Sequence, residues 1–388
     1  MLIVVLPLQA AELERFRFFT VAEVTHDRNV FRLADSTNTQ LALGHDQRSD
    51  TATTLGVGVD MRLPISRQEV LAHVSIERSK YSTYSQLDYT ARDLSANWKW
   101  VAGNNLSGDL SVGDSESLSD FADLNSTQRN LRQVRQYAAA PWFRWQPNWI
   151  VRGRVQRLEI GNSLASAADG NLRANMIEGG MQYQSDASNS VGVLVRRGHG
   201  RYPNRQVVGG LSINNAYTQD ELEGFVDWRM PERWRTQARV AQVRRRHDEF
   251  SNRNFSGMTG RLTQDWFVAG KSTVTFVARR EIGAYEDITS NYVVTTAARL
   301  SANWLATDKL SLNASVERRQ RAFQGDPGLL AGVTQREDRH WNAALSASFE
   351  VMRNLLLSLQ VSHETRISNL IQRDYKTTVI DANARLSF

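Results

Sequence analysis

The sequence predicts an all-β chain: a transmembrane, antiparallel up-and-down β-barrel of about 18 strands, with 16 as the alternative count. Three observations predict it. Apolar and polar residues alternate with period two along most of the chain. Short turns alternate with longer polar loops, and tryptophan collects beside the short turns. No segment approaches the ~20 consecutive apolar residues that a membrane-spanning helix needs, so any crossing must use strands.

The alternation is clear at 55–63, before the turn PISR, and again at the carboxyl end. In VIDANARLSF, one face of an extended chain carries Ile380, Ala382, Ala384, Leu386 and Phe388. Counting in this way gives eight short turns and nine longer loops, the pattern of bacterial outer-membrane barrels with short periplasmic turns and long extracellular loops. We expect the last strand to pair with the first, because lipid leaves no free strand edge.

Aromatic residues form two predicted bands, as at the two interfaces of a membrane. Tyrosine is expected near the long loops, at positions 81, 84, 89, 202, 217, 285, 292 and 375. The predicted tryptophan girdle near the short turns comprises Trp98, Trp100, Trp142, Trp145, Trp149, Trp228, Trp234, Trp266 and Trp304. A soluble all-β sandwich or solenoid is the alternative, but it has no reason to band its aromatic residues.

The amino-terminal residues MLIVVLPLQAA resemble the apolar and cleavage regions of a secretory signal without its basic start. We expect residues 1–11 to be a truncated signal-peptide remnant and residues 12–388 to form a single outer-membrane β-barrel. The alternative is that the apolar stretch is an ordinary buried first strand.

Composition adds an unusual bias toward arginine. The chain has no cysteine, and of its 47 basic residues five are lysine, which leaves 42 arginines. Alternation points many of these arginines to the polar face of the strands, which would line the lumen. The candidates are Arg152, Arg154, Arg235, Arg239, Arg261, Arg279, Arg299 and Arg385, together with the acidic Asp60, Glu178 and Asp265. Two interpretations stay open: structural ion pairs in a wet interior, or a pore biased toward anionic cargo.

Signals for chemistry are scarce, and we predict no catalytic, cofactor-binding or metal-binding residues and no enzyme activity. The seven histidines show no metal-binding spacing, and no phosphate-binding glycine loop or nucleophile elbow occurs. A Ser, His and carboxylate site at the outer rim stays an alternative, because such triads are recognised by geometry. The cluster RRGHGRYPNR, 196–205, is expected to be an outer loop that contacts lipopolysaccharide phosphates or acidic sugars, or is solvated, rather than a nucleic-acid patch.

Several stretches resemble the outer-membrane barrel of exopolysaccharide biosynthesis operons, the EpsL-type polysaccharide transporter of Gram-negative bacteria. They are THDRNVFRL, RSDTATTLGVGVDMRLPISRQ, LDYTARDLSANWKW, GNNLSG and SLSDFAD, all in the first third of the chain. Where that family usually has an acidic Y-D-D-N-like pattern, this chain has HDRN. The resemblance implies export of a polymer made by cytoplasmic and inner-membrane partners. The carboxyl end, with Leu386 and Phe388, also resembles the signal read by the barrel-assembly machinery.

Two functions are therefore expected. The first is a passive exit pore for a secreted exopolysaccharide, whose partners are the polysaccharide chain, periplasmic secretion proteins, membrane lipids and lipopolysaccharide. The second is a general or oligosaccharide-selective porin, or a structural scaffold of the secretion machinery. A long loop folded inward would favour the porin, and the candidates are the 18-residue span Asp114 to Leu131 and the 17-residue span Gln320 to Arg336.

Overall fold

The computed structural model describes residues 15–124, 126–208, 211–287, 290–326, 332 and 334–388, so the expected signal remnant lies outside the described residues. The first half of the chain forms β1 (Phe16–Asp27), a short helix α1 (Thr39–Leu43), β2 (Asp50–Ile65), β3 (Gln68–Tyr81), β4 (Tyr89–Ala102), β5 (Leu106–Leu118), β6 (Leu131–Gln146), β7 (Trp149–Asn162), β8 (Leu172–Gln184), β9 (Ser190–Arg201), β10 (Gln206–Val208) and β11 (Leu211–Ile213). The second half forms β12 (Tyr217–Met230), β13 (Trp234–His247), β14 (Phe255–Ala269), β15 (Ser272–Asp287), β16 (Ser290–Leu305), β17 (Leu310–Gln324), β18 (Glu337–Met352), β19 (Leu355–Ser368) and β20 (Tyr375–Ser387).

Eighteen of these strands form one closed antiparallel barrel, which confirms the predicted fold class and the larger strand count. Each strand pairs with its neighbour in the chain, except that β9 pairs with β12, because β10 and β11 form a separate small hairpin. The barrel closes where β1 pairs with both β2 and β20. At this closure Phe18 and Phe388 exchange two backbone hydrogen bonds of 2.8 and 3.0 Å, and their rings stack. Every strand of the barrel therefore has two neighbours.

The two faces of the wall differ as alternation predicts. Leu55, Val195 and Leu345 lie on the outer face, and each exposes about six-tenths of its surface. The residues one position along each strand point inward. Among the inward-facing residues of the barrel, Glu223 and Arg245 are almost completely buried. An apolar exterior around a polar interior is the reverse of a soluble protein, and it is what a bilayer requires. Among the described helices none is long and apolar enough to cross a membrane.

Turns and loops alternate between the two ends of the barrel. The short turns at one end have between two and five residues, for example 66–67 between β2 and β3 and 185–189 between β8 and β9. The opposite end carries the long loops, with one difference from the expectation of nine. The β15–β16 connection is only two residues long, because these strands stay paired up to Asp287 opposite Ser290.

Three loops at the long-loop end share an apolar cluster. Val30 and Phe31 come from the β1–β2 loop, Tyr84 and Leu87 from the β3–β4 loop, and Phe121 from the β5–β6 loop. The Phe31 ring lies 4.7 Å from the ring of Tyr84 and 4.9 Å from that of Phe121, both edge to face. Burying these side chains holds the loops together over the mouth of the barrel.

The wall has a seam between β14 and β15. Their ladder ends at Gly260 opposite Arg280, so residues 255–259 and 281–287 do not pair with each other. Side chains bridge the gap instead: Arg280 donates from Nε to Met258 O of β14 at 3.2 Å. Tyr292 donates to Asn254 O at 3.4 Å. The described start of β16, Ser290–Val294, is buried throughout, and its Tyr292 and Val294 pack with Val243 and Phe255.

Packing inside the wall near the closure depends on one glycine. Phe19 is 2% exposed; its ring stacks on His73 and lies 3.7 Å from the Arg385 guanidinium carbon. A Cβ at Gly58 would lie 2.6 Å from Val74 O and closer still to the Phe19 ring. We therefore expect Gly58→Ala to lower the free energy of unfolding by about 1–3 kcal/mol through overpacking. This change in the free energy of unfolding is measured by urea unfolding of the protein in lipid vesicles, monitored through tryptophan fluorescence.

The matched control is Gly113→Ala, on the interior face of β5, where a Cβ would meet only Leu94 O at 3.9 Å. Equal destabilisation by the two substitutions would show that loss of glycine, rather than contact with Phe19, is responsible.

Candidate functional site: the polar interior

All eleven sequence-predicted lining residues lie on the interior face by register. The cross-strand pairs that connect them include Arg154 with Glu178, Arg235 with Asp265, and Arg239 with Arg261. Directly opposed residues on neighbouring strands share a face, so each pair extends the assignment to the next strand. Arg152, Arg279, Arg299, Arg385 and Asp60 follow from the same ladders.

Three of these arginines stand side by side. Arg239 on β13 is opposed by Arg261 on β14, which is opposed by Arg279 on β15. Arg261 lies 3.7 Å from Glu281, and Arg279 lies 3.3 Å from Glu317. Arg239 makes no hydrogen bond or ion pair with any residue that the structure describes. Directly opposed like charges destabilise a sheet, so this row, called the arginine row below, is held at a cost to stability.

A cavity of about 550 Å³ lies against the arginine row. Arg239 and Arg261 line one side of it, and Arg152 and Arg154 of β7 line the other. Arg152 donates to Gln182 at 3.0 Å, whereas Arg154 has no hydrogen-bond partner among the described residues and its Nε is buried. Arg196 is the fifth arginine of the lining, and the carboxylates Glu178, Glu223 and Asp227 also line the cavity. Arginines therefore outnumber carboxylates around a polar space that is large enough for a small solute.

Other interior arginines form ion pairs with carboxylates, as expected if their role is to stabilise a wet interior. Arg196 reaches Glu178, Glu221 and Glu223 together, at 3.0 Å to Glu221 and 2.9 Å to Glu223. Arg235 forms a two-point contact with Asp227 at 2.9 and 2.6 Å. The Arg196 cluster was not among the predicted lining residues, although alternation along β9 places Arg196 on the interior face.

The wall formed by β20 and β1 to β5 is richer in carboxylates. Asp60 accepts hydrogen bonds from Arg385 at 2.7 Å and contacts His73 Nδ1 at 2.6 Å. Thr25 donates to Asp381 at 2.7 Å. Further interior carboxylates on this wall are Glu23, Glu77, Asp93 and Asp109. The lumen therefore lies between a wall with the arginine row and a wall with more acidic side chains.

The β5–β6 loop, 119–130, folds inward and is called the constriction loop. Its Asp123 pairs with Arg321 of β17 at 2.8 and 2.9 Å and with Arg336 at 3.5 Å. Arg366 of β19 donates to Ala122 O. β17 is eight strands from β5 in one direction and ten in the other, so the loop crosses the mouth to the opposite wall. This is the first of the two spans predicted as a constriction.

The second predicted span, Gln320 to Arg336, anchors the first. Arg336 is 5% exposed, and it donates to the buried Asp338 at 3.0 and 2.5 Å while its guanidinium lies 4.2 Å from the centre of the Phe323 ring. Residues 327–331 and 333 of this span lie outside the described residues.

Partial removal from bulk water would by itself raise the pKa of Asp123, whose side chain is still 41% exposed. The positive charges of Arg321 and Arg336 have the larger combined effect, and the pKa of Asp123 lies below its usual value. The carboxylate is therefore ionised at neutral pH and holds the constriction loop.

The aromatic bands differ from the expectation in two respects. Eight of the nine girdle tryptophans avoid the interior, among them Trp145, Trp228 and Trp304, which are about half exposed or more. Trp142 differs, because it is opposed by the interior Arg152 while Phe143 and Trp145 take the outer positions.

The expected tyrosine girdle is wrong for five of its members. Tyr84, Tyr202, Tyr217, Tyr292 and Tyr375 are each no more than 8% exposed and lie inside the mouth. Their hydroxyls were expected at a membrane interface, but Tyr375 donates to Glu364 at 3.0 Å and Tyr84 to Gln47 O. The Tyr285 side chain lies outside the described set. The outer face at this level carries arginines instead.

At the carboxyl end, Leu386 and Phe388 are 39% and 58% exposed. Within the described ranges, no group of three or more His, Asp or Glu residues is placed to hold a metal ion. The histidines that do contact carboxylates, His73 and His340, each belong to an ion-pair network of the wall.

Comparison with known proteins agrees with this architecture. A family model described as "Putative beta-barrel porin 2" matches residues 229–388. No curated protein matches the sequence.

Three solved structures illustrate the fold similarity. Pseudomonas aeruginosa OccK2 (OpdF) has a TM-score of 0.54 at 10% identity, covering 97% of this chain and 98% of that one. OpdK of the same organism, crystallised with vanillate, has a TM-score of 0.52 at 11% identity, covering 97% and 99%. Acinetobacter baumannii OccAB4 has a TM-score of 0.52 at 10% identity, covering 96% and 98%. With its apolar exterior, the chain is a porin-like β-barrel of the bacterial outer membrane.

Replacing Asp123 tests the constriction loop. Asp123→Asn keeps the shape but removes the charge that holds the loop to Arg321 and Arg336, so we expect a larger single-channel conductance in planar bilayers, by about 1.5-fold or more. Asp186→Asn, in the β8–β9 turn at the other end, is the control and should leave conductance unchanged. An identical conductance in Asp123→Asn and the parent would contradict an anchoring role for this carboxylate.

Acid should release the same contact. Because the pKa of Asp123 is lower in the folded protein, the contact is complete above the usual value of about 3.9 and is lost as pH falls through the lowered folded value. Conductance should therefore stay constant from pH 7 to about 4.5 and rise below about pH 4. Asp123→Asn, whose loop is already released, should show no such rise.

Proposed function

We propose that this chain is a passive, porin-like channel that favours small anionic solutes, acidic oligosaccharides among them. The single observation that carries the proposal is the arginine row, Arg239, Arg261 and Arg279, on one wall of the lumen. Arginine presents a planar fork of donors that fits carboxylates and phosphates.

The geometry supports transit rather than tight capture. The 550 Å³ cavity is lined by Arg152 and Arg154 as well as by part of the row, so that an anion can exchange contacts in small steps. Neighbouring sites of modest affinity favour conduction, because a solute that binds too strongly does not leave. The more acidic opposite wall would orient a solute that has one charged end.

The constriction loop supports a porin over an open polymer conduit. It crosses the mouth and is held on the far wall by Asp123. One similar structure, OpdK, was crystallised with vanillate, an aromatic carboxylate. We extend from it only the solute class, small organic anions.

The second candidate is the exit pore for a secreted exopolysaccharide. The motifs of the first third of the chain support it through their resemblance to EpsL-type barrels. In that case the polysaccharide chain and periplasmic secretion partners would have to displace the constriction loop. Leu386 and Phe388, at the closing strand, are proposed in either case as the signal for the barrel-assembly machinery.

Removing the arginine row should abolish the anion preference. We expect the refolded parent to prefer chloride over potassium in a salt gradient, and Arg239→Gln, Arg261→Gln and Arg279→Gln together to lower the chloride-to-potassium permeability ratio by about threefold or more. The reversal potential measures this ratio. The control, Arg318→Gln, removes a charge from the outer face of β17 and should have no effect.

Blocking experiments separate the two candidates. Brief block by acidic, but not neutral, saccharide fragments supports the anion channel. If the unsubstituted protein shows no preference for anions, the anion-channel proposal is wrong. Loss of polysaccharide secretion in a deletion strain, with no change in uptake of small anions, would favour the exit pore.

A further inference from the structure

The outer face carries its own arginines at one level of the barrel. They follow directly after the apolar residues of their strands, on the side nearer the long loops. By register they are Arg78, Arg92, Arg135, Arg157, Arg197, Arg244, Arg246, Arg318 and Arg339. These residues occupy the level where a tyrosine girdle was expected.

A groove of about 780 Å³ crosses the outer wall from β6 to β12 at this level. Its lower edge is apolar, with Val155 and Ile177 each at least half exposed. Its upper edge is polar, with Arg157, Asn175 and His199 in one row across the strands. The groove therefore has one side suited to acyl chains and another suited to an anion.

Cations outnumber anions around this groove. Arg197 lies 3.6 Å from Asp220, which also pairs with Arg246 at 2.9 Å, and Arg157 donates to Glu159 through Nε and Nη2. Three arginines therefore share two carboxylates. The Arg157 and Arg197 side chains are 52% and 68% exposed. Exposed pairs of this kind contribute little to stability, so a phosphate can replace the carboxylate partner.

The groove lies at the height at which the acyl chains of the outer leaflet meet its headgroups. Along β7 the outer face carries Trp149, Val151 and Val155 before the first charge, Arg157. Eight positions at ~3.3 Å each, tilted by ~40°, span roughly 20 Å across the membrane, close to the ~25 Å apolar band of such barrels. Trp149 lies near the short turns, so Arg157 lies near the headgroups of the opposite, outer leaflet.

We propose that this groove binds the phosphorylated headgroup of an outer-leaflet glycolipid of the lipid A class. Arg157, Arg197 and His199 contact the phosphates, and the acyl chains lie on Val155 and Ile177. Charge complementarity selects this occupant, because a diphosphorylated headgroup with several acyl chains matches both edges. The segment RRGHGR is then not a loop but the end of β9, in which Arg196 faces inward and Arg197 and His199 face the lipid. This site is independent of the channel function.

The test uses the full chain in detergent and purified diphosphoryl lipid A, with binding followed by native mass spectrometry. Arg157→Gln, Arg197→Gln and His199→Gln together should weaken binding by about tenfold or more, since each loses a charge-assisted contact. Arg318→Gln is the matched control: its arginine lies on the outer face at the same level, on the far side of the barrel, and stacks on Trp341. It should bind like the parent.

Ligand comparisons identify the source of the phosphate. Monophosphoryl lipid A should bind more weakly, and inorganic phosphate at millimolar concentration should not displace the diphosphoryl form. Displacement by inorganic phosphate, equal binding of phosphatidylglycerol, or equal loss in Arg318→Gln would overturn the proposal. The single, exposed Arg197→Gln variant, checked by its heat-dependent gel mobility, keeps the test valid if the triple variant does not fold.

Discussion

The structure depends on one constraint: in lipid, every backbone donor and acceptor must find its partner within the protein. The pairing of β1 with β20 satisfies it by removing both free edges, and the exchange of hydrogen bonds between Phe18 and Phe388 completes the ring. Once the ring is closed, each strand has only two faces, and alternation assigns each residue to lipid or lumen. The positions of the arginine row, the tryptophans and the outer groove follow from that assignment.

Much of this architecture could be predicted from local pattern alone. Period two is a property of neighbouring residues, so the strand count, the short turns and the facing of Arg239 or Asp60 need no knowledge of distant contacts. The contact of Asp123 with Arg321 could not be predicted, because it joins residues 198 positions apart across the mouth. Tyr84 and Tyr375 show the same limit: a tyrosine near a loop has the same local sequence whether it faces lipid or packs under another loop. Trp142 was misplaced because β6 is apolar on both faces there.

The preference for arginine over lysine has a different physical basis at each depth of the molecule. At the arginine row, guanidinium groups stand beside each other without full pairing. In the mouth, Arg336 and Arg366 are buried and hold the loops through directional hydrogen bonds to Asp338 and Ala122. On the outer wall, the same side chain extends its apolar stem along lipid and presents donors to a charged surface. A lysine would supply the charge in all three settings but not the planar set of donors.

The seam between β14 and β15 makes the wall mechanically uneven. Elsewhere along this ladder, widening the barrel would break backbone hydrogen bonds one after another. Above Gly260 and Arg280 the described contacts across the gap are made by side chains, including those of Arg280, Asn291 and Tyr292, and side chains can change rotamer without breaking a ladder. At the long-loop end the circumference of the barrel is therefore held across this seam by side-chain contacts, whereas the lower half is held by a backbone ladder.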